Sequence, residues 1–432
     1  MWTGAPASPV RLIYSALFYF LTPIILGRLF WRGRKLPGYS QRWLERLAIY
    51  DSESEPGVIW FHAVSVGEAE AAFPLIRAIK NRFPTQTILV TATTPTGSAR
   101  IKEVLGDTAR HVYLPYDLPD CVDRFIRHYN PVLAIVLETE IWPNLYHACG
   151  ERGIPLAIVN GRLSERSARG YLRLRSLTQG SLSCVRLIAA QTSEDARRYI
   201  AIGANPNSVV VAGNIKFDIE LPVEALERAG ALRSALFGRR PIFIAGSTHP
   251  GEESQILTAF SALQRQFPEL LLLLAPRHPH RIGDVIAECK KMGLTTRLRS
   301  ENKPAEESVD VFLLDTLGEL RCFYAASDVA FVGGSLVPIG GHNMLEPAVA
   351  GLPVLFGPHI FNFAEIGCKL KESGGGIEVK NTEELALWAG RLLSNESLRS
   401  EIGRNGKRFV SSNQGAVQRA VELLSSLRTG DS

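Results

Sequence analysis

Cysteine is sparse and scattered: six in 432 residues, at positions 121, 149, 184, 289, 322 and 368, with no close pair to suggest a disulfide framework. No Cys or His neighbours stand at zinc-ligand spacing, so no metal is expected. The cysteines read as small apolar residues packed in a reducing compartment. No Gly-x-Gly-x-x-Gly follows any strand-like run and no Walker lysine motif occurs, which sets aside dinucleotide dehydrogenases and P-loop enzymes. Low-complexity sequence and internal repeats are absent too. Acidic residues are short in one place above all. Residues 1–50 carry Arg11, Arg28, Arg32, Arg34, Lys35, Arg42 and Arg46 against Glu45 alone, so this stretch holds +6 of a net +5 and the remainder is near −1. A nucleic-acid binder would spread its positive charge over a folded face. Nucleic acid is therefore not an expected partner.

What is present at the N-terminus is a membrane-seeking segment. Leu12 to Gly27 is sixteen uncharged, mostly apolar residues between Arg11 and Arg28, with Trp31 beyond. As a helix it would run about 24 Å, against a hydrocarbon core of about 30 Å. A single span and a deeply embedded interfacial helix both fit. No small-x-small cleavage pattern follows, and the basic cluster Arg28 to Lys35 comes at once, so a cleaved signal peptide is disfavoured. The positive-inside rule keeps that cluster, and the rest of the chain, cytoplasmic. Membrane attachment through residues 11–35 is expected.

After a linker from Asp51 to Gly57, short continuous apolar runs alternate with amphipathic stretches. The first series is Val58–Ala63, Thr87–Thr93, His111–Pro115, Leu133–Leu137, Pro155–Val159, Leu187–Ala190 and Val209–Val211. The second is Ile242–Ala245, Leu270–Leu274, Val309–Leu314, Val329–Val332, Val354–Phe356 and a weak Gly376–Val379. Such runs between helices mean parallel strands covered on both faces. An α/β chain of two doubly wound domains follows, divided near Asp218 to Glu224. Ligands in such sheets collect beyond the carboxyl ends of strands.

The junction from Gly333 to Pro347 is the most informative of these ends. Gly333, Gly334, Gly340 and Gly341 make a turn that leads through Asn343 into a helix, and a helix N-terminus with free N–H groups suits an anion. Glu346 adds a carboxylate able to accept both hydroxyls of a ribose. The spacing of Asn343 and Glu346 also fits a capping box. In the first half, Ser65-Val66-Gly67-Glu68 places an acid in the first turn of a helix, as capping box or as general base. A carboxylate facing a helix N-terminus is expected to stay ionised. Glu138-Thr139-Glu140-Ile141-Trp142 follows the fourth strand, and Arg162 adds a cation to the same rim. In the second half, Gly246-Ser247-Thr248-His249 forms another turn whose N–H groups suit a phosphate, and Ser335 offers a hydroxyl. Pro276-Arg277-His278 follows the next strand. Lys216 lies at the domain junction, where it could reach an anion from between the domains.

Taken together, Phe61-His62-Ala63 with Ser65-Val66-Gly67-Glu68, Glu138-Thr139-Glu140-Ile141-Trp142-Pro143-Asn144, Gly246-Ser247-Thr248-His249, Pro276-Arg277-His278 and Gly341-His342-Asn343 with Glu346-Pro347 resemble the motifs of Kdo transferases (3-deoxy-D-manno-octulosonic-acid transferases of lipopolysaccharide synthesis), in the family's order and across essentially the whole chain. The resemblance implies a GT-B fold: two Rossmann-like domains facing across a cleft, with an N-terminal membrane anchor. The expected parts are an anchor over 1–50, an acceptor domain over 51–219, a donor domain over 220–405 and a C-terminal helix over 406–432 packing back on the first domain. It further implies transfer of Kdo from CMP-Kdo to a lipid A precursor, with inversion, no bound metal and no cofactor, at the cytoplasmic face of the inner membrane. Glu68 would be the base, with Glu138 or Glu140 holding acceptor or sugar. Ser65, Gly67, Trp142 and Arg162 would lie on the acceptor side. Lys216, Ser247, Thr248, Pro276, Arg277, His278, Ser335, Gly341, Asn343 and Glu346 would hold the CMP-sugar. The competing expectation is another GT-B enzyme using a UDP-sugar, an epimerase or an N-acetylglucosamine transferase.

Overall fold

Short apolar runs bounded by turn residues fold into strands buried on both faces, because only parallel pairing with helices above and below keeps such runs out of water. The computed structural model describes residues 8–51, 54 and 56–429. Residues 1–7 of the expected anchor, 52, 53 and 55 of the expected linker, and 430–432 of the expected C-terminal helix lie outside the described residues. The chain divides into two units, residues 1–218 with 414–432, and 219–413.

The first unit holds β1 (Ile59–His62), β2 (Ile88–Ala92), β3 (Arg110–Tyr113), β4 (Leu133–Leu137), β5 (Leu156–Gly161), β6 (Leu187–Ala190) and β7 (Val209–Val211). All are parallel, in the order β3-β2-β1-β4-β5-β6-β7. One face of the sheet packs Phe61, Val90, Ile135 and Val159 against the helix Val66–Arg82. The other packs Trp60, Leu89, Val136 and Ile158 against Phe125, Tyr146 and Tyr199. The alternation of neighbouring residues between two apolar layers is what a doubly covered sheet requires.

The second unit holds β8 (Ile242–Thr248), β9 (Leu271–Pro276), β10 (Thr296–Leu298), β11 (Val311–Leu313), β12 (Val329–Val332), β13 (Val354–Phe356) and β14 (Gly376–Glu378). They are also parallel, in the order β10-β11-β9-β8-β12-β13-β14. Strand β10 is absent from the sequence reading. Its residues Thr296, Arg297 and Leu298 are only half-buried at the sheet edge, so no apolar run announces it. Both sheets reverse their winding beside the first strand, between β1 and β4 and between β8 and β12. Those two reversals are where a doubly wound sheet opens a crevice.

The helix Glu396–Ser412 runs through position 405, and glycine lets it approach backbone of the second unit: a Cβ on Gly403 would collide with the Gly351 carbonyl oxygen. The last helix, Ala416–Thr429, returns to the first unit, where Ala416, Ala420 and Leu424 join the layer that also holds Ala72 and Ile76. Its start is fixed by Asp218, whose carboxylate accepts the backbone N–H groups of Gly415 and Val417. Arg419 adds a bond from Nε to the carbonyl of Ala212 at 2.8 Å. A carboxylate at a helix start satisfies orphan donors and meets the positive dipole end. Asp218→Ala should therefore lower unfolding stability by about 1–2 kcal/mol, read as a lower thermal midpoint than for the exposed control Gln418→Ala; equal midpoints would contradict this anchoring.

Candidate active site

In the first unit the reversal between β1 and β4 brings together the two sequence clusters that carry acids. Ser65 caps the helix Val66–Arg82, its Oγ accepting from Glu68 N at 3.3 Å and donating to Glu68 Oε1 at 3.1 Å. Glu68 Oε2 accepts from Val64 N at 2.6 Å. The capping arrangement is thus real, and it points the Glu68 carboxylate toward the strand ends; Gly67 lies exposed beside it. The donors at the helix start favour the ionised Glu68, as expected, but do not outweigh burial. Burial raises its pKa, and the nearby charge of Glu138 adds to that, against the opposing pull of the Val64 and Ser65 hydrogen bonds and of Lys216.

Glu138 follows β4 directly and sits at φ +57°, a left-handed conformation that costs a non-glycine residue energy. Its carbonyl accepts from Tyr199 Oη at 3.2 Å, and Thr139 is held by the carbonyl of Arg162 and by Tyr199, which fix the turn. Glu138 Oε1 accepts from Lys216 Nζ at 2.9 Å. Glu140 is pushed up to about 7 by burial, with the charges of Glu68 and Glu138 adding and the Trp142 indole opposing. Trp142 packs its ring against the core layer with Ile141. Arg162 is exposed on the same edge. Lys216, expected at the domain junction on the donor side, makes its ion pair with Glu138 within the first unit. It stands in the turn Ile215–Phe217, whose flanking Ile215 and Phe217 are buried in the first unit. Asn160, at φ +58° where the register shifts near the end of β5, accepts from Ile215 N at 3.1 Å and so aims Lys216 at Glu138.

In the second unit the glycine-rich turn does hold an anion, but the anion is the protein's own. Glu252, fully buried, accepts from Gly334 N at 2.7 Å, Ser335 N at 3.0 Å, Leu336 N at 2.9 Å and His249 N at 3.3 Å. Gly333 lies so close to β8 that an added Cβ would meet the Ser247 carbonyl oxygen at 2.5 Å, and Gly334 takes φ +68°. Gly333 admits no side chain, and one at Gly334 would be strained. Ser335, fully buried, donates to the Val332 carbonyl at 2.5 Å and accepts from Gly357 N at 2.8 Å, so its hydroxyl is spent inside the fold. Thr248 is likewise buried, bonded to Glu253 Oε1 at 3.1 Å, and Glu253 pairs with Arg281 at 2.8 Å. The hydroxyls of Ser335 and Thr248 are therefore bonded inside the fold, where they shape the turns.

Of the remaining donor-side residues, Arg277 and His278 are exposed, Ser247, Asn343 and Glu346 are half-buried, and Pro276 and Gly341 are buried. Ser247, at φ +59° on the irregular end of β8, leaves its hydroxyl without a protein partner among the described residues. Pro276 ends β9 in the core; Arg277 and His278 after it are exposed, with Arg277 N donating to the Thr248 carbonyl at 2.9 Å. The Arg277 guanidinium has no carboxylate partner among the described residues. Gly341, at φ +75°, donates to the Gly334 carbonyl at 2.8 Å and turns the chain into His342 and Asn343. Asn343 does not cap Glu346 as its spacing suggested: its Oδ1 accepts from Leu345 N at 3.1 Å, since the helix Leu345–Val349 begins one residue too late for a box. Glu346 Oε1 accepts from Arg321 Nε at 3.2 Å. His342 and His249, neither of them a sequence candidate, meet Nε2 to Nε2 at 2.8 Å with rings stacked. Burial pushes His342 down to about 3, with His249, Arg277 and His278 adding to it. Glu252 could have been flagged from sequence as a local cap for His249, but its three other donors lie more than 80 residues on. Among the described residues no three His, Cys, Asp or Glu side chains converge in a metal-binding geometry.

Glu252 bridges β8 to the turn after β12, so its loss leaves several buried donors unpaired. Glu252→Ala should cost roughly 3 kcal/mol, read as a thermal midpoint lowered by about 6–12 °C. An unchanged midpoint would mean that the turn's donors find other partners and that the internal anion is not structural.

A family model described as 3-Deoxy-D-manno-octulosonic-acid transferase (kdotransferase) matches residues 41–219. A 3-deoxy-D-manno-octulosonic acid transferase of Haemophilus influenzae is 42% identical over 417 residues, covering 96% of this chain and 98% of that protein. One of Bordetella pertussis is 36% identical over 377 residues, covering 85% of this chain and 86% of that protein. Among solved structures, UDP-GlcNAc 2-epimerase of Neisseria meningitidis bound to UDP-GlcNAc has a TM-score of 0.57 at 12% identity, covering 87% of this chain and 100% of that one, a likeness of fold alone. With the acids and donor-side turns in the family's order, the chain belongs to the 3-deoxy-D-manno-octulosonic acid transferases, glycosyltransferases of lipopolysaccharide synthesis.

Proposed function

We propose that this Kdo transferase moves Kdo from CMP-Kdo to a hydroxyl of a lipid A precursor at the cytoplasmic face of the inner membrane, with inversion and without a bound metal ion. The observation that carries the reading is the Glu68 carboxylate, half-buried beside Glu138 and Glu140, with its pKa raised toward the range a general base needs. Glu68 takes the proton of the acceptor hydroxyl as its oxygen bonds to the anomeric carbon of Kdo. The bond from that carbon to the phosphate oxygen breaks, and CMP leaves with the electron pair. Attack from the face opposite the leaving group inverts the anomeric centre. Lys216 pairs with Glu138 and holds that carboxylate in place to orient sugar or acceptor.

The donor falls to the second unit's edge. Arg277, exposed and without a carboxylate partner among the described residues, suits the donor's phosphate or carboxylate, with the Ser247 hydroxyl near the same strand ends. Asn343 and Glu346 suit the ribose, Glu346 with one oxygen held by Arg321. Pro276, His278 and Gly341 shape that edge. A cytidine-based donor is distinguished from a uridine-based one by which of CMP and UDP protects the protein against heat.

Glu68→Gln should lower transfer by about 10²–10⁴ while thermal protection by CMP stays unchanged; full transfer by that variant would overturn the assignment. The pH dependence gives a second outcome. A base must be deprotonated, so kcat/KM should fall as pH drops through the raised pKa of Glu68. Lys216 lowers that pKa, so Lys216→Met should move the acid limb to higher pH; a limb that stays in place would contradict the electrostatic link.

A further inference from the structure

The helix Pro9–Gly33 is the one helix among the described residues long and apolar enough to cross a membrane, with a mean hydropathy of 1.6 over its most apolar window. Its two faces differ sharply. Arg11, Tyr14, Ser15, Phe18, Ile25, Leu26, Leu29 and Gly33, most of them spaced by three or four, turn toward the first unit and are buried or half-buried. Ile13, Leu17, Phe20, Ile24 and Trp31 lie on the other side, each more than half exposed: Ile13 69%, Leu17 56%, Phe20 76%, Ile24 64% and Trp31 61%. That spacing puts them in one stripe along the helix.

Both ends of the helix rest on the same folded unit. At the N-terminal end, Arg11 pairs with Glu151 at 3.2 Å, Tyr14 Oη donates to Asp117 Oδ2 at 3.0 Å, Ser15 Oγ donates to Asn144 Oδ1 at 3.1 Å and Tyr19 Oη donates to Asp120 Oδ1 at 2.5 Å. Asp117 is itself 2% exposed and accepts from the backbone of Asn144 and Leu145, so this contact is built into the start of the helix Pro143–Glu151. At the C-terminal end, Leu29 and Gly33 are buried, a Cβ on Gly33 would meet Ser40 at 2.8 Å, and Phe30 meets Trp43 edge to face at 5.5 Å. From there Arg42 reaches the His111 carbonyl at 3.0 Å and Arg46 the Thr93 carbonyl at 2.9 Å, tying the segment to the sheet.

A helix crossing a bilayer has its ends on opposite sides of about 30 Å of hydrocarbon. This one has polar ties to a single water-soluble body at residues 11 to 19 and packing on the same body at residues 29 to 33. We infer that the helix lies along the first unit in the plane of the membrane interface, and that its stripe Ile13, Leu17, Phe20, Ile24 and Trp31 enters the lipid while the opposite face stays on the protein. The inference rests on the membrane attachment proposed above and fixes its geometry. The occupant is a lipid surface. From Ile13 to Ile24 the stripe is uninterrupted by polar residues, no acid lies anywhere in the helix, and Arg28, between Ile24 and Trp31, joins Arg32, Arg34 and Lys35 at its C-terminal end, the pattern of a segment seated on anionic headgroups.

Val10, exposed beside the clasped end, offers the test. A Val10→Cys chain is expressed in full length with Cys368, which is exposed, changed to serine; a parallel chain keeps Cys368 and lacks the new cysteine. Inner-membrane vesicles of both orientations are treated with a maleimide that cannot cross the bilayer. The expected result is a chain in the membrane fraction whose position 10 labels from the same face as Cys368 and from that face only. Labelling of position 10 from the opposite face alone would overturn the in-plane geometry while leaving membrane attachment intact. A chain absent from the membrane fraction would overturn both, and if it sediments as a dimer the stripe belongs to a second copy.

Discussion

Three carboxylates at the carboxyl edge of one parallel sheet, with one lysine in ion-pair contact among the described residues, set the terms for the rest of the first unit. Parallel winding that reverses between β1 and β4 places Glu68 next to Glu138 and Glu140. Burial and mutual repulsion raise Glu68 and Glu140, and the compensation that keeps the cluster tolerable is built from elsewhere: Ser65 and Val64 donate to Glu68, while Asn160 aims the Lys216 turn at Glu138. Strain is spent at the same place, since Glu138 and Asn160 both take left-handed backbone angles at strand ends. A cluster of this kind destabilises the fold unless it is used, which is the physical case for reading it as the reaction centre.

The second unit uses the same topology in a different way. At its reversal, between β8 and β12, a buried carboxylate is enclosed by four backbone N–H groups and serves as internal scaffolding. Gly334 then accepts from Gly340 and Gly341, and the stacked pair His249 and His342 closes the same turn, so Glu252 reaches Asn343 and Glu346 through three short links. The turn that looks most like an anion site is therefore rigid because its anion is already bound. What remains exposed or half-buried is a narrower set: Ser247, Arg277, His278, Asn343 and Glu346.

Continuous apolar runs made thirteen of the strands legible from sequence, most because fully buried parallel strands have no polar face to confuse the pattern, and the part-exposed β7 because its three residues are all valine. The edge strand β10 escaped for the converse reason, its residues being half-wet and mixed in character. Local chemistry was legible too: the Ser65 cap of Glu68 is a contact between residues three apart. Long-range chemistry was not. Lys216 meets Glu138 across 78 residues and His249 meets His342 across 93, and nothing in either segment alone reports its partner. Ser335 and Thr248 were expected in anion-holding turns, yet residue type does not reveal whether a hydroxyl is already bonded within the fold, and both are. The N-terminal helix shows the same limit, for its composition announced a membrane while only the clasp at Asp117, Asp120 and Asn144 shows which face is free.

The central claim is that the acid edge of the first unit and the outward residues of the second together carry Kdo transfer. It is tested most directly by incubating the purified chain with CMP-Kdo and a lipid A precursor and measuring the mass of the lipid product and the release of CMP. The account predicts a lipid heavier by one or more Kdo units, with one CMP released for each unit added and no dependence on added metal. Release of CMP with an unchanged lipid, or transfer from a UDP-sugar in place of CMP-Kdo, would contradict it.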